Sequence, residues 1–200
     1  MSNIQLYLAS GSPRRKELLA QIGVLFERIS APIDETPLIN ESAKDYVLRL
    51  AELKAEAGWQ VMLEQGLAPL PVLAADTTVV LDGQILGKPI DVMDATAMLE
   101  QLSGRSHDVF TSLGLRTATG TEVVLSVSAV TFMTLSPAQI AAYVTSGEPM
   151  DKAGSYGIQG TAGLFISNLQ GSYSGVMGLP LHDTATLLAR HGLGLLAALS

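Results

Sequence analysis

The hydrophobic and polar positions of this 200-residue chain alternate in period along its length, and the alternation predicts strands interleaved with helices. Ile4 to Ala9 is an apolar, β-favouring run. It breaks at Ser10-Gly11-Ser12 into a helix opening, with Ser12 placed as N-cap and Pro13 at the first helical position. Leu18, Leu19 and Ile22 supply the stripe that packs this helix on a sheet. Leu25 to Ser30 alternates as a half-buried strand, and residues 31–37 read as loop. Ser42-x-x-Asp45 resembles a capping box for a helix carrying Tyr46, Leu50, Leu53 and Ala57 to about Gln65. Pro71 to Leu81 is the most β-like run, nearly continuous and so central, and Asp82-Gly83 predicts a type I′ hairpin into Gln84 to Gly87. A helix follows from Asp91-x-x-Asp94 to Gly104. Val109 to Ala118 and Glu122 to Thr134 then predict two long strands joined at Thr119-Gly120. A short helix opens at Ser136-Pro137, Gly147 to Gly160 is loop, Leu164 to Leu169 is strand, and Asp183 to Leu196 closes the chain as helix. Neither repeat nor linker divides the sequence, so residues 1–200 are expected to form one α/β domain with a mixed, twisted sheet.

Composition narrows the classes. The longest apolar stretches are broken by Gly, Pro or charge well before the eighteen residues a membrane span requires. The first residues lack a basic-then-apolar leader profile and there is no cysteine, which together predict a cytoplasmic location without disulfides or thiolate metal sites. The net charge of −7 argues against nucleic acid or anionic lipid as partner. Five of the twelve basic residues, Arg14, Arg15, Lys54, Lys88 and Lys152, fall in or beside the motifs below, which suits a small, highly charged anion.

The chemistry begins at the first helix. Its free N–H groups form an anion site, and Arg14 and Arg15 on the same turn are locally unfavourable against the dipole unless an anion sits between them. The alternative is an ordinary connection with solvated arginines. Asp76 interrupts the central strand, and a carboxylate there is costly unless paired or metal-bound. It reads either as a turn cap or as a metal ligand or general base at the carboxyl edge of the sheet. Asp34-Glu35 is a solvated acidic loop or, with Asp76, a holder for a hard divalent cation. Lys88, in Gly87-Lys88-Pro89, and Lys54, on its helix, are surface lysines or phosphate contacts. The loop Gly147 to Gly160 is dense in glycine and polar groups, and Gln159 within it can pair with a base edge. His107, His182 and His191 show no metal spacing, and Ser10-Gly11-Ser12 lacks the flanking glycines of a nucleophile elbow.

Taken in order, Ser10-x-Ser12-Pro13-Arg14-Arg15, Asp34-Glu35, Ala51-x-x-Lys54-Ala55, Ala75-Asp76-Thr77, Gly87-Lys88-Pro89, Gly147-Glu148-Pro149-x-Asp151-Lys152-Ala153-Gly154, Gly157-Ile158-Gln159-Gly160 and Val176-x-Gly178-Leu179-Pro180 resemble the Maf-like nucleotide pyrophosphatases. The resemblance implies two lobes around a deep cleft and often a homodimer. It implies hydrolysis of a nucleoside triphosphate to monophosphate and pyrophosphate, dependent on Mg²⁺ or Mn²⁺. It implies Asp76 as general base, Glu35 and Asp76 as metal ligands, and Ser10, Ser12, Arg14, Arg15, Lys54, Thr77, Lys88 and Gln159 as substrate contacts. Arg14, Thr77 and Gln159 resemble the residues linked to base choice in the branch acting on dTTP and UTP. A nucleotidyltransferase also opens with a strand, a small-residue loop and an arginine. A non-catalytic nucleotide sensor tied to cell division would keep the basic loop without needing the carboxylates.

Overall fold

The computed structural model describes residues 4–194. Seven strands form one mixed sheet in the order β2-β1-β3-β5-β6-β7, with β4 also paired to β3. The strands are β1 (Leu6–Leu8), β2 (Phe26–Arg28), β3 (Val72–Leu81), β4 (Gln84–Leu86), β5 (Ser106–Thr117), β6 (Gly120–Phe132) and β7 (Ile166–Gln170). The helices are α1 (Pro13–Gln21), α2 (Ala43–Glu64), α3 (Val92–Leu102), α4 (Pro137–Thr145), α5 (Tyr173–Met177) and α6 (Leu181–Arg190). β1 runs parallel to β2 and β3, and β3, β5, β6 and β7 are antiparallel neighbours.

Local chemistry accounts for the boundaries. The Ser12, Ser42, Asp91 and Ser136 side chains each accept from a backbone N–H three residues on, and Ser136 with Gln139 completes a reciprocal capping box. The Asp82-Gly83 turn holds both residues at positive φ, 51° and 79°, as a type I′ hairpin requires. One element is added and one expectation is corrected. Residues 173–177, for which the sequence predicted no element, form a helical turn capped by Ser172. The closing helix starts at Leu181 and stops at Arg190, because Gly192 takes φ 78° and the Gly192 and Leu193 N–H groups fold back to Ala189 O and Leu188 O. The last two residues of the expected helix lie outside the described residues.

The core explains the cleft. Val72 and Ala74 face α2 with Tyr7, Ala9, Trp59 and Met62. Leu73 and Ala75, on the opposite face, pack with Leu18, Leu19, Leu187 and Leu188 of α1 and α6. Farther along that second face Val79 and Leu81 join a separate cluster under α3 and α4, with Leu99, Phe132, Tyr143 and Phe165. The break between the last two clusters falls at Thr77. The sheet opens at the same place. β1 pairs with β3 at Val72 and Leu73, β4 pairs with it at Val79 to Leu81, and no described strand covers that edge between. Asp76 and Thr77 sit in this opening, so side chains from opposite faces of one strand reach one cavity.

Candidate active site

A cleft of about 780 Å³ is centred on that opening and is lined from the 9–15 and 28–35 segments, α2, β3, Gly87-Lys88, the 151–159 loop and residues 176–178. The ten residues that the resemblance marks as site residues, Ser10, Ser12, Arg14, Arg15, Glu35, Lys54, Asp76, Thr77, Lys88 and Gln159, all line it.

On the α2 face, Lys54 Nζ stands 2.6 Å from Asp76 Oδ1 and 2.8 Å from Glu35 Oε1. Asp76 is 6% exposed, and the lysine compensates a carboxylate that would otherwise be buried at high cost. Asp76 Oδ2 has no hydrogen-bond partner among the described residues. α2 lies close enough to place Lys54 there because Gly58 and Gly114 remove side chains from the contact. A Cβ on Gly114 would stand 2.5 Å from Ala51 O. Tyr46 closes the acidic corner by donating to Glu35 O at 3.0 Å, and burial, with Asp76 and Glu35 beside it, raises its hydroxyl to about 12. Asp34 takes no part here. Its Oδ1 accepts from the Thr36 N–H and hydroxyl, which turns the loop and lowers its pKa.

On the other face, Arg15 is a clamp. Nε donates to Gly178 O at 2.8 Å, Nη1 to Ser10 Oγ at 3.2 Å and Nη2 to Thr77 Oγ1 at 3.1 Å. Burial pushes its guanidinium down and Asp76 draws it back up. Ser10 Oγ accepts from Arg15 and from the Ser12 N–H, so its own proton remains available to a ligand. Arg14 donates to Met177 O and stands 3.8 Å from Asp151 Oδ2 on the facing loop. Asp151, against the upward pull of burial, is lowered by Lys152 and Arg14.

Lys88 is exposed and has no protein partner among the described residues. Its loop is tied in place by the Gly154 N–H donating to Gly87 O at 3.0 Å. Gly154 takes φ 65° and leaves no room for a Cβ, which would meet the Val79 side chain at 2.8–2.9 Å. Gln159 is exposed with its amide unengaged. The loop that carries it is anchored by Glu148, which accepts from Tyr143 Oη at 3.0 Å and the Thr161 N–H at 3.1 Å. Sequence reasoning missed Arg28, Tyr46 and Asp151, all in the lining. Arg28 donates to Ser10 O at 3.2 Å, and its only signal was a lone cation at the end of a three-residue strand. His107 is buried behind the cleft wall and is not itself in the lining, with Nε2 2.7 Å from Oη of the lining residue Tyr156.

The two carboxylate oxygens of Glu35 and Asp76 already converge on one cationic group, the Lys54 ammonium, and hard oxygen donors in such a pair suit Mg²⁺ or Mn²⁺ completed by phosphate oxygens and water. No cluster of three or more His, Cys, Asp or Glu that could hold a metal exists among the described residues. The pair therefore fits a cation that arrives with its substrate better than an all-protein cage. No described helix is long and apolar enough to cross a membrane.

The chain is 54% identical over 191 residues to a dTTP/UTP pyrophosphatase of Chromobacterium violaceum, covering 96% of each chain. It is 53% identical to the protein of that name in Nitrosomonas europaea, over 94% of this chain and 95% of the relative. A solved Ham1 protein of Staphylococcus aureus aligns at a TM-score of 0.45 and 14% identity, covering 64% of this chain and 71% of that one. The family model for Maf-like protein matches residues 5–191, and with it the chain belongs to the Maf-like family.

Proposed function

We propose that this protein hydrolyses dTTP and UTP to the nucleoside monophosphate and pyrophosphate. The observation that carries the reading is the buried Asp76 carboxylate, ion-paired through one oxygen and free at the other, at the opening of a sheet edge inside a cation-lined cleft. The names of the relatives supply the substrate.

In this reading Ser10, Ser12, Lys88 and the N-terminus of α1 hold the triphosphate, and Arg15 keeps the loop and β3 in register around it. Lys54 pairs with Asp76 Oδ1 and aims the carboxylate. A water in line with the α-phosphorus attacks, the bond to the bridging β-oxygen breaks, and pyrophosphate leaves. Asp76 Oδ2 accepts the proton that the water releases. Glu35 and Asp76 would hold a divalent cation, which when bound neutralises phosphate charge and acidifies water. Gln159, Thr77 and Arg14 face the base. The chain acts on a small-molecule substrate, in the cytoplasm, as a single domain and as a homodimer.

The test is product analysis on a panel of nucleoside triphosphates with Mg²⁺ or Mn²⁺. Pyrophosphate should form from dTTP and UTP and cease when the metal is chelated. Asp76→Asn should lower kcat by roughly 10³-fold or more while the melting temperature holds, since a positioned general base contributes about 10²–10⁴. Retained turnover in that variant removes Asp76 as the base. Binding without any product from the wild type removes the hydrolase reading.

A further inference from the structure

We infer that Thr111, a residue outside the cleft lining, sets base selectivity by fixing the direction of the Thr77 hydroxyl. This rests on the proposed reading of the cleft, in which a nucleoside triphosphate sets its base against Thr77.

Thr111 lies on β5 directly opposite Thr77 and is 1% exposed. Its hydroxyl donates to Gly175 O at 2.8 Å. A threonine hydroxyl has one proton, so toward Thr77 Oγ1, 3.0 Å away, Thr111 can only accept. The proton of that contact is therefore the Thr77 proton. Arg15 Nη2, meanwhile, donates to Thr77 Oγ1 at 3.1 Å and occupies one of its lone pairs. What Thr77 has left for the cleft is a single lone pair and no donor. The arrangement is a directional relay: arginine to Thr77, Thr77 to Thr111, Thr111 to a backbone carbonyl.

An acceptor that cannot turn round discriminates between base edges. Uracil and thymine present an imide N3–H, which an acceptor takes. Cytosine presents a bare N3 at the same place, and two lone pairs would face each other without a proton between them. Size cannot make this distinction, because uracil and cytosine are nearly isosteric. Thr111 is thus a positioning residue that acts through Thr77. It never touches the substrate.

Thr111→Val keeps the side-chain shape, removes the acceptor and frees the Thr77 proton. The measurement is kcat/KM for UTP and CTP in the wild type, Thr111→Val and Thr111→Ser. We expect Thr111→Val to lower the UTP to CTP ratio about tenfold, chiefly through KM, and Thr111→Ser to restore it. In a Thr77→Val background, Thr111→Val should leave the ratio unchanged. Should the valine variant fail to fold, Thr111→Ala removes the same hydroxyl and carries the same expectation. A ratio that stays at the wild-type value in a folded Thr111→Val or Thr111→Ala protein overturns the inference while leaving the pyrophosphatase reading intact. A wild type that releases no pyrophosphate from UTP overturns that reading instead.

Discussion

His107 shows how a titratable side chain can be built into a core without serving the cleft. It is 3% exposed, stacked edge-on against Phe132 and Tyr156, with Nε2 2.7 Å from Tyr156 Oη and Nδ1 without a partner among the described residues. Burial alone drives its pKa down to about 4, and no charged group offsets this. Its hydrogen-bond partner Tyr156 is raised by burial and stays neutral as well. The unfolded chain, with an ordinary histidine near 6.5, therefore binds a proton that the native state refuses between pH 6.5 and about 4. Stability is unaffected by this group above that window and falls as the pH drops through it, by about 3 kcal/mol at the bottom. Denaturant titrations at pH 7 and pH 4.5 should show the wild type losing roughly 2 kcal/mol more than His107→Gln, which keeps a partner for Tyr156 and cannot titrate. Equal losses would mean that His107 is solvated or charged in the native state. The same scale separates what a sequence discloses from what it hides. Asp76 announced itself because a carboxylate within an apolar strand demands a partner. Thr111 did not, because its role depends on the β3–β5 register, which joins residues 34 positions apart.

At the scale of elements, the contact between α2 and the sheet positions the chemistry. Gly58 lets Val72 and Ala9 come beneath the helix, and Gly114 lets the Ala51 carbonyl descend onto β5. Lys54, one turn on from Ala51, then stands over Asp76. Gly114→Ala places a methyl against backbone that cannot rotate away, so the helix must lift. The expected cost is roughly 1–3 kcal/mol of stability, as for other overpacked cores, and a kcat loss larger than any change in KM. Thermal unfolding and steady-state kinetics on the one variant check both halves. An unchanged kcat at lowered stability would show that Lys54 keeps its place without the close approach. Much of this layer was legible from the sequence: the long α2, the central β3 and the hairpin after it follow from periodicity, caps and the Asp82-Gly83 pair. The short α5 was not, since five residues flanked by Gly171 and Gly178 carry too little periodicity to separate helix from loop. The early stop of α6 was missed because apolar residues continue past Gly192, and the left-handed turn there overrides them.

Over the whole molecule the charge is divided against its average. The chain carries a net −7, yet the cleft lining holds six cations, Arg14, Arg15, Arg28, Lys54, Lys88 and Lys152, against three carboxylates, Glu35, Asp76 and Asp151. Three of the cations are bound up locally, Lys54 between Asp76 and Glu35, Arg15 in its clamp, and Lys152 against Asp151, where Nζ stands 2.5 Å from Oδ1. Lys88, by contrast, is exposed and unpaired among the described residues, and so adds its full charge to the field at the mouth. A positive cleft in a negative protein draws an anionic substrate inward while the remaining surface repels it, and salt weakens both effects over a Debye length of about 10 Å at 0.1 M. Raising NaCl from ~20 mM to ~300 mM at saturating metal should therefore lower kcat/KM for UTP several-fold, with the change in KM and little in kcat. Lys88→Gln should begin from a lower kcat/KM and show a shallower salt dependence, because the charge that salt would screen is already gone. A wild type whose kcat/KM ignores salt would mean that binding is governed by short contacts alone. A Lys88→Gln variant with the wild-type slope would place the steering field elsewhere in the lining, with Arg28 as the next cation to neutralise.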